Sequence, residues 1–445
     1  MAAAPLGGDT EVDVAIVGAG LTGLWTAVGL LQRDRSLRVV LLERETVGFG
    51  ASGRNGGWCS ALLPMSMHHV ATRHGEPAAA RMQAAMHQTV IDVGRFASDH
   101  DIDCAYSRGG TIRLARNRPQ IERLRADIAE YHHFGFDEED YRWLDATEAE
   151  AMCAATHVLG AKYTPHCATV DPIRLTHGVA REVLALGGRI HDRTTVTDIA
   201  PGRVITDRGV VRADVVVRAT EGYTSGLPGA RRDLLPIYSL MIATEPLSES
   251  IWSQIHLDAR PTFSDARNLV IYGQRTADGR LAFGGRGAPY HFGSKVRPEF
   301  DTDDRVRQLL TETLRDLFPV LRDSNITHHW GGVLAASRDW NCTVRFDRST
   351  GFATAGGYVG DGLATTHLAG RTLAALITDS TDDEDRALIR LPWVGHRSRK
   401  WEPEPLRWIG VNGARTAAIR ADQVESRLDH RSRLWGGIIN AVLGH

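Results

Sequence analysis

Nowhere does the chain carry about 18 consecutive apolar residues, the length a helix needs to cross a bilayer, so no membrane span is expected. The opening MAAAPLGGDT lacks a basic stretch followed by an apolar one, which argues against an export signal. Cysteine is scarce and unpatterned: Cys59, Cys104, Cys153, Cys167 and Cys342 are odd in number, with no CxxC pair and no metal-ligand spacing. A disulfide framework is therefore excluded, and a reducing cytoplasm is the expected compartment. Neither sign of charge prevails, with 52 basic against 54 acidic residues and no long block of either. Nucleic acid and anionic membrane surfaces are accordingly not expected as partners. His328 and His329 have no further ligands at metal spacing, and no metal is expected.

What the sequence does hold begins with a buried-strand pattern. Residues 12–17 are an apolar, β-branched run that leads directly into Gly18, Ala19, Gly20, Leu21, Thr22 and Gly23. Leu24, Trp25, Val28 and Leu31 then recur at helical spacing, and residues 37–42 form a second apolar run ending at Glu43. Strand, glycine turn, helix and strand predict a βαβ unit. A glycine-rich loop follows over 47–57, then one or two helices over 68–100. Asp171 can cap a helix that starts at Pro172, shows Ile173, Val179 and Val183 on its apolar face, and stops at Gly187 and Gly188. Short strands are expected at 195–199, 204–206 and 214–220, and strands of a different sheet at 236–244 and 280–284. A helix over 303–317 carries Val306, Leu310, Leu314 and Leu317 on one face; 351–358 predicts a strand, and 363–377 a helix with a glycine-flanked start. The length of 445 residues accommodates a cofactor domain, a substrate domain and a Trp-, Arg- and Pro-rich tail packed on them.

The GxGxxG of Gly18, Gly20 and Gly23 gains meaning from its place between strand and helix, with Glu43 twenty residues on. Gly18 makes the tight turn, Gly20 admits a pyrophosphate close to the backbone, Gly23 packs helix on sheet, and the free amides at the helix start face the anion. Glu43 can accept hydrogen bonds from ribose hydroxyls, and its charge disfavours a 2′-phosphate. The loop Gly50, Ala51, Ser52, Gly53, Arg54, Asn55, Gly56, Gly57 suits a second phosphate and a ring. There Ser52 brings a hydroxyl, Arg54 a guanidinium, and the paired glycines allow close backbone approach.

With these segments, VDVAIVGAGLTGL, GASGRNGG, DPIRLTHGVAREVLALGGRIH, YSLMIATEPL, LAFGGRG, HHWGGVLAASRDW and AGGYVGDGLATTHLAGRTLAALI, the chain resembles the D-amino-acid oxidase superfamily of flavoproteins over most of residues 11–380. The resemblance is nearest to its glycine oxidase, sarcosine oxidase and γ-glutamylputrescine oxidoreductase branch. It implies an α/β fold of glycine-oxidase type: an FAD-binding Rossmann-like domain of the glutathione-reductase kind, with a second, α+β substrate domain. The expected division is a discontinuous FAD domain over 11–95, 150–230 and 345–385, a substrate domain over 96–149 and 231–344, and an extension over 386–445. By the same resemblance Val196 contacts the adenosine half, and Gly357, Gly360, Gly362 and Leu363 put a helix start beside the flavin, where reduced flavin carries negative charge. Arg44, Thr220, Asp361 and Ala364 are counted with the cofactor contacts. Asp361 and Glu221 depart from relatives, which often have histidine and asparagine there; the plainer reading of Asp361 is a helix N-cap.

The implied cofactor is FAD, and the implied chemistry is hydride transfer from the carbon of a small amine or amino acid to flavin N5, leaving an imine that water hydrolyses. Oxygen or another acceptor would take the electrons onward. Tyr238, Tyr272, Arg286, Trp330 and Arg338 stand in segments expected to face the flavin, where an Arg with a Tyr can clamp a carboxylate. Cys59 and Cys342 read as buried thiols and not as flavin attachment points. A flavin-dependent 2-hydroxy acid dehydrogenase, a non-catalytic flavin-binding protein and an NAD-binding dehydrogenase stay open as alternatives. The tail's Trp401, Trp408 and Trp435 pack on the body or form an oligomer contact.

Overall fold

A computed structural model describes residues 3–285 and 287–443. The chain builds two large sheets and a small one. The first has strands in the order Thr343–Asp347, Phe352–Gly356, Gly209–Arg218, Thr10–Val17, Val39–Leu42 and Arg189–His191. The last five of these run parallel to one another, and the first is antiparallel to the second. A hairpin of Val196–Ala200 and Arg203–Thr206 joins the sheet through Gly209–Arg218. Parallel strands covered on both faces need continuous apolar runs, and Val39, Val40, Leu41 and Leu42 are all buried.

Helices Leu21–Arg33 and Gly362–Ile377 pack on this sheet and against each other. They approach so closely that a Cβ on Gly370 would lie 2.6 Å from the Trp25 Cβ, and one on Gly29 would lie 2.9 Å from that of Ala374. The predicted cap at Asp171 is present, its carboxylate accepting from the amides of Ile173 and Arg174 at the start of helix Pro172–Ala185. The 68–100 stretch is two helices, Met67–His74 and Glu76–Asp99, and the 47–57 loop contains one short helical turn, Ala51–Arg54.

The second sheet is ordered Ile326–Ala336, Leu235–Thr244, Leu281–Gly285, Ile271–Arg275, Thr262–Asp265, Thr111–Ala115, Gly160–Thr164 and Arg142–Leu144. Helix Asp304–Leu317 covers its outer face with Val306, Leu310, Leu314 and Leu317, all buried as the periodicity predicts, and Asp303 caps it. One boundary moves: Gly160–Thr164, expected with the first layer, pairs with Thr111–Ala115 in the second. Its Ala161 completes the same apolar cluster as Ile112 and Leu114, which is why hydrophobic burial draws it there.

The tail begins on the first sheet, where Leu388, Leu391 and Trp393 join the core, and its later part packs against the second-sheet side. Trp401 is buried beside Leu235, Tyr290 and Ala336 and donates its indole N–H to the Ala336 carbonyl. Helix Leu406–Leu428 is tied down through Asp422, which accepts from the Asn268 and Leu269 amides, and through Glu425 paired with Arg123. Trp408, by contrast, is exposed. Among the described residues no helix is long and apolar enough to cross a membrane.

Candidate active site

A cavity of about 650 Å³ runs from the glycine turn of the first sheet to the inner face of the second. At the first end the wall is mostly backbone. Gly18 has φ +105°, and a Cβ there would lie 2.6 Å from the Ala219 carbonyl oxygen; one on Gly23 would lie 2.1 Å from the Gly18 oxygen. Both positions therefore exclude side chains on steric grounds. Gly20 faces Ser52, whose Oγ accepts from the Leu21 amide at 2.8 Å, so the 50–57 loop is latched to the helix start. Glu43 ends its strand in the cavity wall. Its carboxylate is oriented by the amides of Ala19 (2.9 Å) and Glu45 (3.0 Å), and burial raises its pKa. Arg44, Thr194, Thr195, Val196 and Thr220 continue this end.

In the middle stand Gly360, Asp361, Gly362 and Leu363 at the start of helix Gly362–Ile377. Asp361 occupies the N-cap position but makes no capping hydrogen bond with its side chain. Glu221 lies beneath this turn and accepts from the amides of Gly357 (3.0 Å) and Tyr358 (3.2 Å). Burial outweighs those bonds and pushes its pKa up to about 7. Glu221, Trp340 and Val359 all line the cavity with positive φ (38°, 59° and 53°). For a β-branched residue such as Val359 that conformation is a strained one, of the kind that gathers at functional sites.

The far end is made of side chains. Antiparallel register pairs Tyr272 with Gly284 and Met241 with both Gly284 and Trp330. The Phe263↔Gly273 pairing sets Ser264 beside Tyr272; Ser264 in turn pairs with Arg113, and Arg113 with Lys162. Directly paired residues share a face of a sheet, so one row crosses it from Trp330 to Lys162. Tyr272 is pinched between two glycines: a Cβ on Gly56 would come within 2.7 Å of its ring and one on Gly284 within 2.5 Å. Its hydroxyl is 2.8 Å from the Ser239 Oγ. Lys162 and Arg113 (3.9 Å) share the single carboxylate of Asp127, while Asp265 is neutralised by Arg267. The recess end of the row thus presents two cations, Arg113 and Lys162, on one shared carboxylate.

Several expected residues stand elsewhere. Tyr238 is buried outside the cavity with its hydroxyl donating to the Arg297 carbonyl, because its position along the strand points it at His291 and Phe300 on the outer face. Arg338 pairs with Glu402 (2.9 Å) and lies over Trp401, a partner in the tail that no local pattern announces. Trp330 belongs to the cross-sheet row but donates to the Arg54 carbonyl at 2.9 Å and supports the loop from behind. Arg286 lies outside the described residues. Arg54 lines the cavity and is paired with Asp301 (2.5 Å). Gly23, Gly53, Gly57, Gly357 and Ala364 are outside the lining; a Cβ on Gly57 would collide with the Val170 carbonyl at 2.3 Å, so its smallness, like that of Gly23, serves packing. All five cysteines are buried and none lines the cavity.

The family model described as FAD dependent oxidoreductase (DAO) matches residues 13–376. The chain is 30% identical over 388 residues to gamma-glutamylputrescine oxidoreductase of Escherichia coli strain K12, covering 85% of this chain and 86% of that one. It is 26% identical over 386 residues to glycine oxidase of Geobacillus kaustophilus, covering 82% and 92%. The crystal structure of the Geobacillus kaustophilus glycine oxidase superposes with a TM-score of 0.71 at 21% identity, over 87% of this chain and 99% of that one. That of L-proline dehydrogenase from P. horikoshii gives 0.69 at 18%, over 84% and 95%.

Proposed function

Because the chain belongs to the FAD-dependent oxidoreductase family, FAD is its cofactor, and we propose that its reaction is oxidation of the C–N bond of a small amine or amino acid. The walls suit such a cofactor: glycines where a Cβ would strike backbone, a helix start facing the cavity, and a carboxylate at the strand end. Gly18, Gly20, Leu21 and Thr22 would hold the pyrophosphate, Glu43 the ribose, Val196 the adenosine side, and the start of helix Gly362–Ile377 the ring. FAD, when bound, supplies the two-electron acceptor that takes hydride from the carbon bearing the amine.

The protein's share is orientation. Tyr272, immobilised between Gly56 and Gly284, forms a rigid wall where loop and sheet meet, against which the reacting carbon can be held. The strands of Arg113 and Lys162 lie two and three places from that of Tyr272, about 10 and 14 Å across the sheet. An amine reacting beside Tyr272 would reach them with an anionic group at its other end. The cross-sheet row, ending in net positive charge, is the observation that carries this reading. It also suits an amine bearing a γ-glutamyl group, for which the Escherichia coli relative is named. Oxidation leaves an imine, which water converts to a carbonyl compound and ammonia or amine; oxygen or another acceptor then removes the electrons.

Anaerobic mixing of the purified flavoprotein with amines, amino acids, N-methylamino acids, γ-glutamylated diamines and 2-hydroxy acids tests this directly. Bleaching of the flavin is expected with amines, most rapidly with long ones ending in a carboxylate. Bleaching by hydroxy acids alone would overturn the reading.

A further inference from the structure

Away from the cavity, three residues distant in sequence converge. His87 projects from helix Glu76–Asp99, Asp140 from the turn before strand Arg142–Leu144, and His166 from the turn between Gly160–Thr164 and Cys167–Thr169. The two imidazoles stack with centroids 3.5 Å apart and planes 3° from parallel. His166 Nε2 lies 2.6 Å from Asp140 Oδ1, and His87 Nδ1 lies 3.9 Å from the same oxygen. We propose that His87, Asp140 and His166 form a binding site for a divalent transition metal, with zinc the ion their donor set fits best.

The donor set is two imidazole nitrogens and one carboxylate oxygen, a combination zinc accepts with a further position left for water. Metal–ligand bonds of about 2.0–2.1 Å in tetrahedral geometry set donor atoms roughly 3.3 Å apart. The two observed separations straddle that value and all three donor atoms lie within 4.8 Å of one another, so binding requires the stacked rings to tilt until both in-plane lone pairs converge on the ion. The cluster does not close as a hydrogen-bond network by itself. The 3.9 Å approach is too long for a hydrogen bond, and His166 Nδ1 is buried with no hydrogen-bond partner among the described residues.

The surroundings prepare the ligands. Burial, with the neighbouring His166 next, lowers the His87 pKa to about 3, and burial also lowers that of His166. His87 Nε2 lies 2.7 Å from the Tyr141 hydroxyl, which also accepts from Gln83. A proton on that nitrogen leaves the lone pair on Nδ1, toward Asp140; such outer contacts orient metal-binding histidines. Arg108 acts against a cation, lowering both histidine pKa values through its charge, and Asp140 has to offset it. Asp140 keeps 29% of its side chain exposed, giving an entry path.

A metal here would brace the cavity wall. Gln83 donates to the Ala61 carbonyl and the Ala61 amide donates to the His166 carbonyl, while Ser60, Leu62, Leu63 and Pro64 on either side line the cavity. The sequence shows none of this, because the ligands come from three separate elements.

The test uses tag-free holoprotein, stripped with chelator, dialysed against micromolar zinc and analysed for bound metal and thermal midpoint. Expected are one retained zinc per chain, a raised midpoint, and zinc affinity weakened at least about tenfold in both His166→Gln and Asp140→Asn while the flavin stays bound. No zinc retained by the wild-type protein overturns the proposal, as does equal retention by both variants. Should a variant fail to fold, the wild-type result still decides, and cobalt(II) then reports the donors through its visible absorption. A nitrogen- and oxygen-ligated tetrahedral spectrum is expected; a thiolate-to-cobalt band would overturn the assignment.

Discussion

The two ends of the cavity are made of different material. At the glycine turn the wall is backbone, shaped by positions where a side chain cannot fit; across the second sheet it is a row of side chains drawn from strands scattered between residues 111 and 336. Backbone recognises what is constant in a ligand, a phosphate or a ring, and it tolerates little change. Side chains recognise what varies and can be exchanged without disturbing the fold.

The sharpest break in that contrast is Gly23→Ala, whose Cβ would meet the Gly18 carbonyl oxygen at 2.1 Å. We expect destabilisation of more than about 3 kcal/mol and a colourless protein, read by denaturant unfolding and flavin content. At the other end, Gly284→Ala presses on the Tyr272 ring from 2.5 Å. There flavin content should hold while kcat/KM falls on the order of 100-fold, since small misplacements of a positioning wall have effects of that size.

Glu221 crosses the division, a side chain serving as acceptor for backbone amides at the cofactor end. Its pKa of about 7 in the folded state exceeds the ordinary carboxyl value of 4.5. The folded protein thus binds the proton more tightly, and stability should fall as pH rises from 4.5 to 7, by about 2 kcal/mol once partial screening is allowed for. Thermal midpoints across that range should show a flatter slope in Glu221→Gln; an unchanged slope refutes the assignment. Arg113→Met should have the smallest effect, raising KM for carboxylate-ended amines about tenfold, with flavin and stability intact. Equal loss for substrates with and without the anionic end would count against the recess.

The same contrast explains what could be read beforehand. The βαβ unit, the Asp171 cap, the helix ending at Leu317 and the wall residues Gly18, Gly20, Glu43 and Ser52 follow from local periodicity and spacing, because neighbours in sequence make them, whereas Val196 comes from the family resemblance alone. Arg113, Lys162 and Ser264 escaped notice because only strand pairing brings them beside Tyr272. Tyr238 misled for a related reason. A strand buried on both faces offers no alternation to say which way a tyrosine points, and here it points outward. Arg338 was misread because its partner, Glu402, lies 64 residues on in a tail without a strong pattern.

The close crossing of helices Leu21–Arg33 and Gly362–Ile377 bears on how the protein is made. The Thr22 and Tyr358 hydroxyls meet there across 336 residues of chain. At about 5–20 residues per second of synthesis, the first helix waits on the order of 20–70 s for its partner. During that interval Trp25 and Gly29 lack the Gly370, His367 and Ala374 surface that covers them in the finished fold, and a nascent chain stopped short of residue 362 should be held by chaperones or protease-sensitive in its first βαβ unit. The core that holds the cofactor is thus among the first parts of the chain to be translated and among the last to be finished.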